Sequence, residues 1–330
     1  MPDSLNNLHP DAIFDMPQVS VLAMTGEQKS AFLQGQLTAN INQWPADSAL
    51  RSAHCDHKGK AWSVLTVMAT GEEIWLAGHP ESLAASQAQF EKYGVFSKIS
   101  LEMRGDVTPK LLTGRAAELI SDKLFGGLPA RALAAAENEY GVAVRADYPA
   151  GAVTVYLTET GKAAFDHETG EETFAQYGSE VCEALLIQQG LPEIASPNIN
   201  EYVPQMFNLQ ALHGIDFKKG CYMGQEVVAR TRYLGKNKRA AYVLRSVGSL
   251  DVKPGDTIER QLGENWRRAG TVLRSAALSE ETWVLAVLPN DITEEDTLRL
   301  SGAEEARLSI QPLPYDVDND EKNSILKRKS

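Results

Sequence analysis

Cysteine is scarce in this chain. Its 330 residues include three, Cys55, Cys182 and Cys221, far apart and without C-x-x-C spacing. Such spacing argues against a disulfide framework, and a reducing, cytoplasmic location is expected. Long apolar runs are missing as well: none reaches the roughly 18–20 residues that a membrane span needs. The N-terminal MPDSLNNLHPDAIFD lacks the charged-then-apolar pattern of a signal peptide. Net positive charge is absent. Lys and Arg number 32 against 44 Asp and Glu, a net charge of −12, which argues against a polyanion coat and against direct nucleic-acid binding. No P-loop, no G-x-G-x-x-G after a strand, no H-E-x-x-H and no G-x-S-x-G occurs. Nucleotide hydrolysis, dinucleotide chemistry, zinc proteolysis and serine hydrolysis all lose support.

Hydrophobic residues are plentiful, at 43%. A chain of this length exceeds what one core usually serves, so two or three domains are expected. The segment before Gln18 has no periodic pattern and reads as a surface wrap. Val19 to Ala23 alternates as a strand, and Thr25 with Gln28 reads as a capping box opening a helix that ends by Trp44-Pro45. Residues 61–68 and 73–77 read as a hairpin through Thr70-Gly71. A helix is predicted from Pro80 to Tyr93, and a strand from Val95 to Met103. Further on, Leu111-Leu112, Val142–Arg145 and Val153–Leu157 read as strands. Arg115–Phe125, Gly161–His167 and Ser179–Gln189 read as helices. Short strands mixed with helices, without βαβ alternation, indicate an α+β arrangement. Gly190-Leu191-Pro192 breaks the last helix, and the Pro- and Asn-rich stretch to Gly214 suits a loop lining a cleft. Beyond Arg239, six short apolar runs separated by turn residues imply a small antiparallel β-barrel. The division is thus a body over 1–239, with internal boundaries near 45 and 105, a barrel over 240–315, and a polar, disordered tail over 316–330.

The chain is organised around GIDFKKGCYMGQEVVARTRYLGKNKR, Gly214 to Arg239. Two glycines bracket Cys221 and Tyr222, and Gln225 to Arg230 reads as a short helix. Cys221 would then precede a helix N-terminus, with Lys218 and Lys219 beside it, and all three influences favour thiolate. The competing possibility is a buried, inert cysteine. Glu226 suits an ion pair with Lys219 or Arg230 that shapes the loop, and Tyr222 can pack or hydrogen-bond. From Lys218 to Arg239 seven basic residues (Lys218, Lys219, Arg230, Arg232, Lys236, Lys238, Arg239) face one acid, Glu226. Such a strip is either a solvated charge run or a dock for a phosphate- or carboxylate-bearing partner.

The octapeptide KGCYMGQE with Arg230 after it resembles the signature of the YgfZ family. Thr25-Gly26, Phe32–Thr38, Ala53–Asp56 with Lys58–Lys60, Gly190–Pro192, and Pro204-Gln205 with Asn208–Gln210 resemble further landmarks of that family, in its order. The resemblance covers roughly Val19 to Tyr315. It implies a body like the glycine-cleavage T-protein, two intertwined α+β subdomains around a cleft, plus the barrel. It also implies a folate-binding protein, monomeric, serving tRNA modification and the assembly or repair of iron–sulfur enzymes, tRNA-thiolating ones included. Tetrahydrofolate or another folate is the implied cofactor. The implied working group is Cys221 with Lys219, Glu226 and Tyr222. Gln205, Asn208, Gln225 and Arg230 are expected at the folate. Two positions where some family members carry tryptophan hold Val19 and Cys182 here, so another side chain must line the slot or folate affinity falls. A folate-dependent, aminomethyltransferase-like transferase is the alternative function.

Two other constellations remain. His54-Cys55-Asp56-His57 offers four ligand types in a row, but neighbours on a strand point to opposite faces, so no metal site is expected there; Asp56 can face the cleft. Trp266-Arg267-Arg268 can stack a flat ring or simply pack.

Overall fold

The computed structural model describes residues 2–233, 235, 237–303 and 306–317. Lys236 of the basic strip and nearly all of the tail read as disordered lie outside the described residues. In chain order the elements are β1 (Ala12–Asp15), β2 (Ser20–Thr25), α1 (Lys29–Gln36), β3 (Leu50–Cys55), β4 (Ala61–Thr70), β5 (Glu73–Gly78) and α2 (Pro80–Tyr93). Next come β6 (Ser100–Met103), β7 (Thr108–Thr113), α3 (Gly114–Phe125), β8 (Ala135–Asn138), β9 (Gly141–Arg145), β10 (Val153–Leu157), α4 (Glu159–Gly170), β11 (Ala175–Tyr177) and α5 (Ser179–Gln188). The chain closes with α6 (Gln225–Tyr233) and the strands β12 (Arg239–Val247), β13 (Thr257–Leu262), β14 (Asn265–Ala277), β15 (Glu281–Pro289), β16 (Leu298–Leu300) and β17 (Arg307–Gln311).

Three sheets result. The first is antiparallel, in the order β3-β4-β5-β2-β6. The second runs β11-β1-β7-β10-β9-β8 and is antiparallel except where β1 pairs with β11. The third is a closed antiparallel barrel, β12-β15-β14-β13-β16-β17. Closure leaves no open edge, which suits strands as short as β16.

Helices cover one face of each open sheet. Leu33, Leu37, Leu83 and Phe90 of the α1 and α2 region pack on Leu22, Met24 and Leu76. Ala116, Ala117, Ile120 and Phe165 of α3 and α4 pack on Leu112, Val153 and Val155. The other two faces meet in the principal core, where Ala23, Ala53 and Cys55 join Phe14, Leu111 and Val144. Helix α5 runs through that core and carries it to Leu273 and Leu285 of the barrel. Alternation along each strand dictates this sandwich, since residues two apart share a face.

Several expectations change. Residues 12–15 are no surface wrap; β1 lies inside the second sheet, between β11 and β7. Four residues are too few to show a period. The chain crosses between sheets around residues 16–19 and 104–107, which is what intertwines the subdomains. No boundary falls near 45, because residues 41–50 lead from α1 back into β3 of the same sheet. The capping box is not made: the Gln28 Oε1 accepts the Lys98 N–H at 2.7 Å, and α1 has no side-chain cap. Strand β6 starts only at Ser100, since Gly94 to Ser97 form a turn closed by Ser97 N–H on Gly94 O, and Phe96 is 99% exposed.

Candidate functional site

The KGCYMGQE loop is held by backbone hydrogen bonding. Asp216 Oδ1 accepts the Lys218 and Lys219 N–H groups at 2.7 and 3.1 Å. The Lys219 ammonium turns inward and donates to Gln34 O, Leu37 O and Ala39 O at 2.8, 2.6 and 2.7 Å. Those carbonyls lie at and just beyond the end of α1, where a helix leaves acceptors unmatched. All three donors of the ammonium are therefore used. Lys219 is 6% exposed, and burial pulls its pKa down to about 8 against the pull of Asp216. Its Nζ also sits 4.9 Å from the centre of the Tyr222 ring. Tyr222 is buried, which pushes its hydroxyl pKa up.

Gly224, at φ +82°, packs against the turn between β3 and β4. A Cβ there would lie 2.5 Å from Asp56 O, so glycine is required on both counts. Gly224 O accepts the N–H groups of Val227 and Val228, which starts α6. Cys221 precedes that start by three residues and is exposed. Glu226 pairs with Arg230 one turn along α6, as the spacing i, i+4 favours.

Around this loop the histidine–cysteine run splits between faces. His54 is buried, stacks on Phe90 at 4.1 Å and bonds Ser86 through Nδ1 at 3.0 Å. Burial lowers its pKa to about 3. Cys55 faces the principal core instead, and Asp56 ties the turn by accepting from Lys58 and Lys60 N–H. Trp266 is on the barrel surface, with the guanidinium groups of Arg299 and Arg307 at 4.0 and 5.0 Å from its ring.

A cavity of about 790 Å³, counted to its open mouth, lies between the two open sheets. Val19, Leu111, Val144, Leu186 and Leu191 give it apolar walls. Two charged clusters interrupt them. Arg51 of β3 grips Asp147 with two bonds, of 2.7 and 2.9 Å. Arg274 of β14 grips Glu183 with two bonds of 2.6 Å, donates to Leu191 O at 2.8 Å, and lies 3.6 Å from Glu193. Arg274 is thus shared between two carboxylates. Burial raises the Glu193 pKa to about 7; Arg274 opposes this and Glu183 adds to it. A second hollow shares Glu193 and Arg274 as its wall and reaches His79 and Glu180.

The structure separates the expected site residues into three places. Cys221, Lys219, Tyr222, Glu226, Gln225 and Arg230 gather on the loop and α6, and none lines the central cavity. Along β3, Arg51 at the cavity and Cys55 near Tyr222 are four residues apart, roughly 13 Å at strand rise. The described residues of the positive strip do not line the cavity either. Gln205 and Asn208 are corrected from cavity amides to structural ties. Gln205 Nε2 donates to Val228 O of α6 at 2.6 Å, and Asn208 exchanges bonds with Ala241 of β12. Asn208 thereby pairs both backbone groups of Ala241, which lies beyond the stretch of β12 that β17 covers. Val19 does line the cavity, whereas Cys182 is buried beside it in the principal core.

Arg51, Asp147, Tyr148, Glu193 and Arg274 were not legible as site residues. Glu193 alone had a signal, since it follows the helix-breaking Gly190-Leu191-Pro192 at the start of the expected cleft loop. The cavity combines apolar walls with a few fixed polar groups, the general make-up of a small-molecule site. Glu193 and Asp147 are its carboxylate acceptors, and Arg51 and Arg274 are the cations beside them.

The barrel matches the family model "YgfZ, beta-barrel domain" over residues 237–303. A tRNA-modifying protein YgfZ from Yersinia enterocolitica is 36% identical over 312 residues, 94% of each chain. One from Yersinia pestis strain Pestoides F is also 36% identical, over 313 residues and 94% of each chain. The glycine cleavage system aminomethyltransferase T from Bartonella henselae superposes with a TM-score of 0.71 at 14% identity, covering 94% of this chain and 88% of that one. The chain therefore shares the T-protein fold.

Proposed function

This chain belongs to the YgfZ family, and on that premise we propose that it acts in tRNA modification as a folate-binding accessory protein. In this reading it also serves the assembly or repair of iron–sulfur enzymes. The observation that carries the reading is the cavity between the two sheets, with its apolar walls and a pair of arginine–carboxylate clusters. A reduced folate, when bound, supplies one-carbon chemistry at its ring nitrogens. The chain's own part is to exclude water with Leu111, Val144 and Leu186. It orients the ring edge with Asp147 and Glu193, and holds or releases a proton at Glu193 near neutral pH. Cys221, exposed on its fixed loop, meets partner molecules rather than the cavity ligand, so two separate surfaces carry the two parts of the role.

Two experiments test this. Calorimetric titration with tetrahydrofolate gives saturable heat that disappears in Leu186→Trp, which fills the cavity; no heat at high micromolar ligand removes folate. Cys221→Ala, placed in a strain lacking the protein, loses tRNA thiolation and iron–sulfur enzyme activity; wild-type levels remove the cysteine from the function. The alternative, a one-carbon transferase, draws support from Glu193, a half-buried carboxyl poised near neutral pH beside the cavity. Turnover of an aminomethyl-lipoyl carrier with tetrahydrofolate would favour it.

A further inference from the structure

The chain does not stop where the barrel closes. After β17 it continues as Pro312-Leu313-Pro314-Tyr315 and returns to the body. The burial alternates: both prolines are exposed, while Leu313 and Tyr315 are half-buried. Leu313 packs on the principal core. The Tyr315 hydroxyl donates to Gly190 O at 2.7 Å. Gly190 adopts φ +65° and has no room for a side chain: a Cβ there would meet Leu313 and would lie 2.8 Å from the Tyr315 hydroxyl. Two prolines fix φ in a four-residue segment and lower the cost of holding it in place. It is a docked strap, with a seat built at the residue that ends α5.

Its tip touches the cavity wall. The rings of Tyr148 and Tyr315 are 5.5 Å apart at 51°, and Tyr148 lines the cavity. Tyr148 N–H donates to Asp147 Oδ1 at 3.1 Å, and Asp147 is itself clamped by Arg51. Among the described residues, the aromatic side chains lining this cavity are Tyr148 and Tyr156. Tyr156 is fully embedded in the second sheet. Tyr148 is therefore the aromatic surface whose position depends on a neighbour outside the sheets, and that neighbour is delivered by the barrel.

We propose that Tyr148 is the stacking platform for a flat heteroaromatic ligand in the central cavity, and that Tyr315 on the Pro-Leu-Pro-Tyr strap is its positioning residue. The ligand class deepens the folate reading and rests on the same cavity. An aromatic face recognises a planar ring by stacking, with little dependence on its substituents. The strap links occupancy of that platform to the barrel's end. A ligand that presses on Tyr148 also favours the docked strap, and an undocked strap leaves the platform unsupported.

The test is calorimetry on the full chain with three probes: tetrahydrofolate, a bare pterin, and p-aminobenzoylglutamate, which lacks the bicyclic ring. Tyr148→Leu weakens tetrahydrofolate and pterin about tenfold and leaves p-aminobenzoylglutamate within about twofold; general damage to the fold would weaken all three. Tyr315→Leu follows Tyr148→Leu in the same selective pattern. Tyr315→Phe, which keeps the ring contact and loses the bond to Gly190, weakens them about threefold. Hydrogen exchange near Gly190 slows on ligand addition in wild type and not in Tyr315→Leu. Equal affinity of wild type and Tyr148→Leu for tetrahydrofolate overturns the platform and leaves the folate reading standing. Binding of the bare pterin without tetrahydrofolate does the reverse. Binding of neither ring by the wild-type chain overturns both.

Discussion

The cysteine loop and the central cavity satisfy their charges in opposite ways. In the loop, Lys219 and Asp216 bond chiefly to backbone: three carbonyls for the ammonium, two N–H groups for one carboxylate oxygen. In the cavity, side chains answer side chains across long separations, Arg51 to Asp147 over 96 residues and Arg274 to Glu183 over 91. Backbone partners do not move away when a ligand arrives, so the loop is a fixed mount that leaves the Cys221 thiol outward. Paired side chains can exchange partners, so the cavity is suited to accept a ligand's polar edge. The proposed function rests on this difference, with reactivity on one surface and binding at the other.

The largest effect is expected at Arg274, which is 4% exposed at its side chain. Arg274→Met leaves Glu183 and Glu193 facing each other without a cation. Stability falls by about 3–5 kcal/mol, measured by urea unfolding. A loss under about 1 kcal/mol would mean that water already screens the cluster.

Next in size is a pH effect at Glu193. Its folded pKa is raised to about 7 from the ordinary 4.5 of a glutamate, so between those values the folded state binds more protons than the unfolded state. The stabilisation is full below about pH 4.5 and is lost as pH rises through about 7. The span is on the order of 3 kcal/mol. Glu193→Gln removes this slope and is more stable than wild type at pH 8. Denaturation midpoints between pH 5 and 8 decide it, and parallel curves for the two proteins would refute the assignment.

The smallest effects separate the inside of the loop from its outside. Lys219→Met strips the end of α1 of its donor and costs roughly 2 kcal/mol. Alkylation of Cys221 changes with it, because the mount is loosened. Glu226→Ala breaks an exposed pair, with side chains 54% and 80% exposed, and shifts stability by no more than about 0.5 kcal/mol. Should the two variants prove equal, the loop is not anchored through the lysine, and its distinction from the cavity fades.

Much of the architecture was legible. Helix α2 was read to its observed bounds, Pro80 to Tyr93, because proline at its start and a regular apolar stripe mark both ends. The six barrel strands stood out by alternation and turn residues. The cysteine loop was visible as a contiguous stretch with unusual residue types. The strand at Ala12–Asp15 was not, being four residues long with a partner almost a hundred residues away. Gln205 and Asn208 looked like ligand amides because sequence shows that an amide is present, not which backbone group will claim it.

Sequence by itself determined the local elements, the division into an α+β body and a barrel, and the identity of the loop that carries Cys221. Each of these is written in residues that are neighbours along the chain, where periodicity and turn chemistry act. Tertiary structure alone decided that Arg51, Asp147, Tyr148, Glu193 and Arg274 surround one cavity, and that the thiol stands apart from it. Those side chains come from strands, a loop and the barrel, and only the packing of two sheet faces on α5 sets their distances.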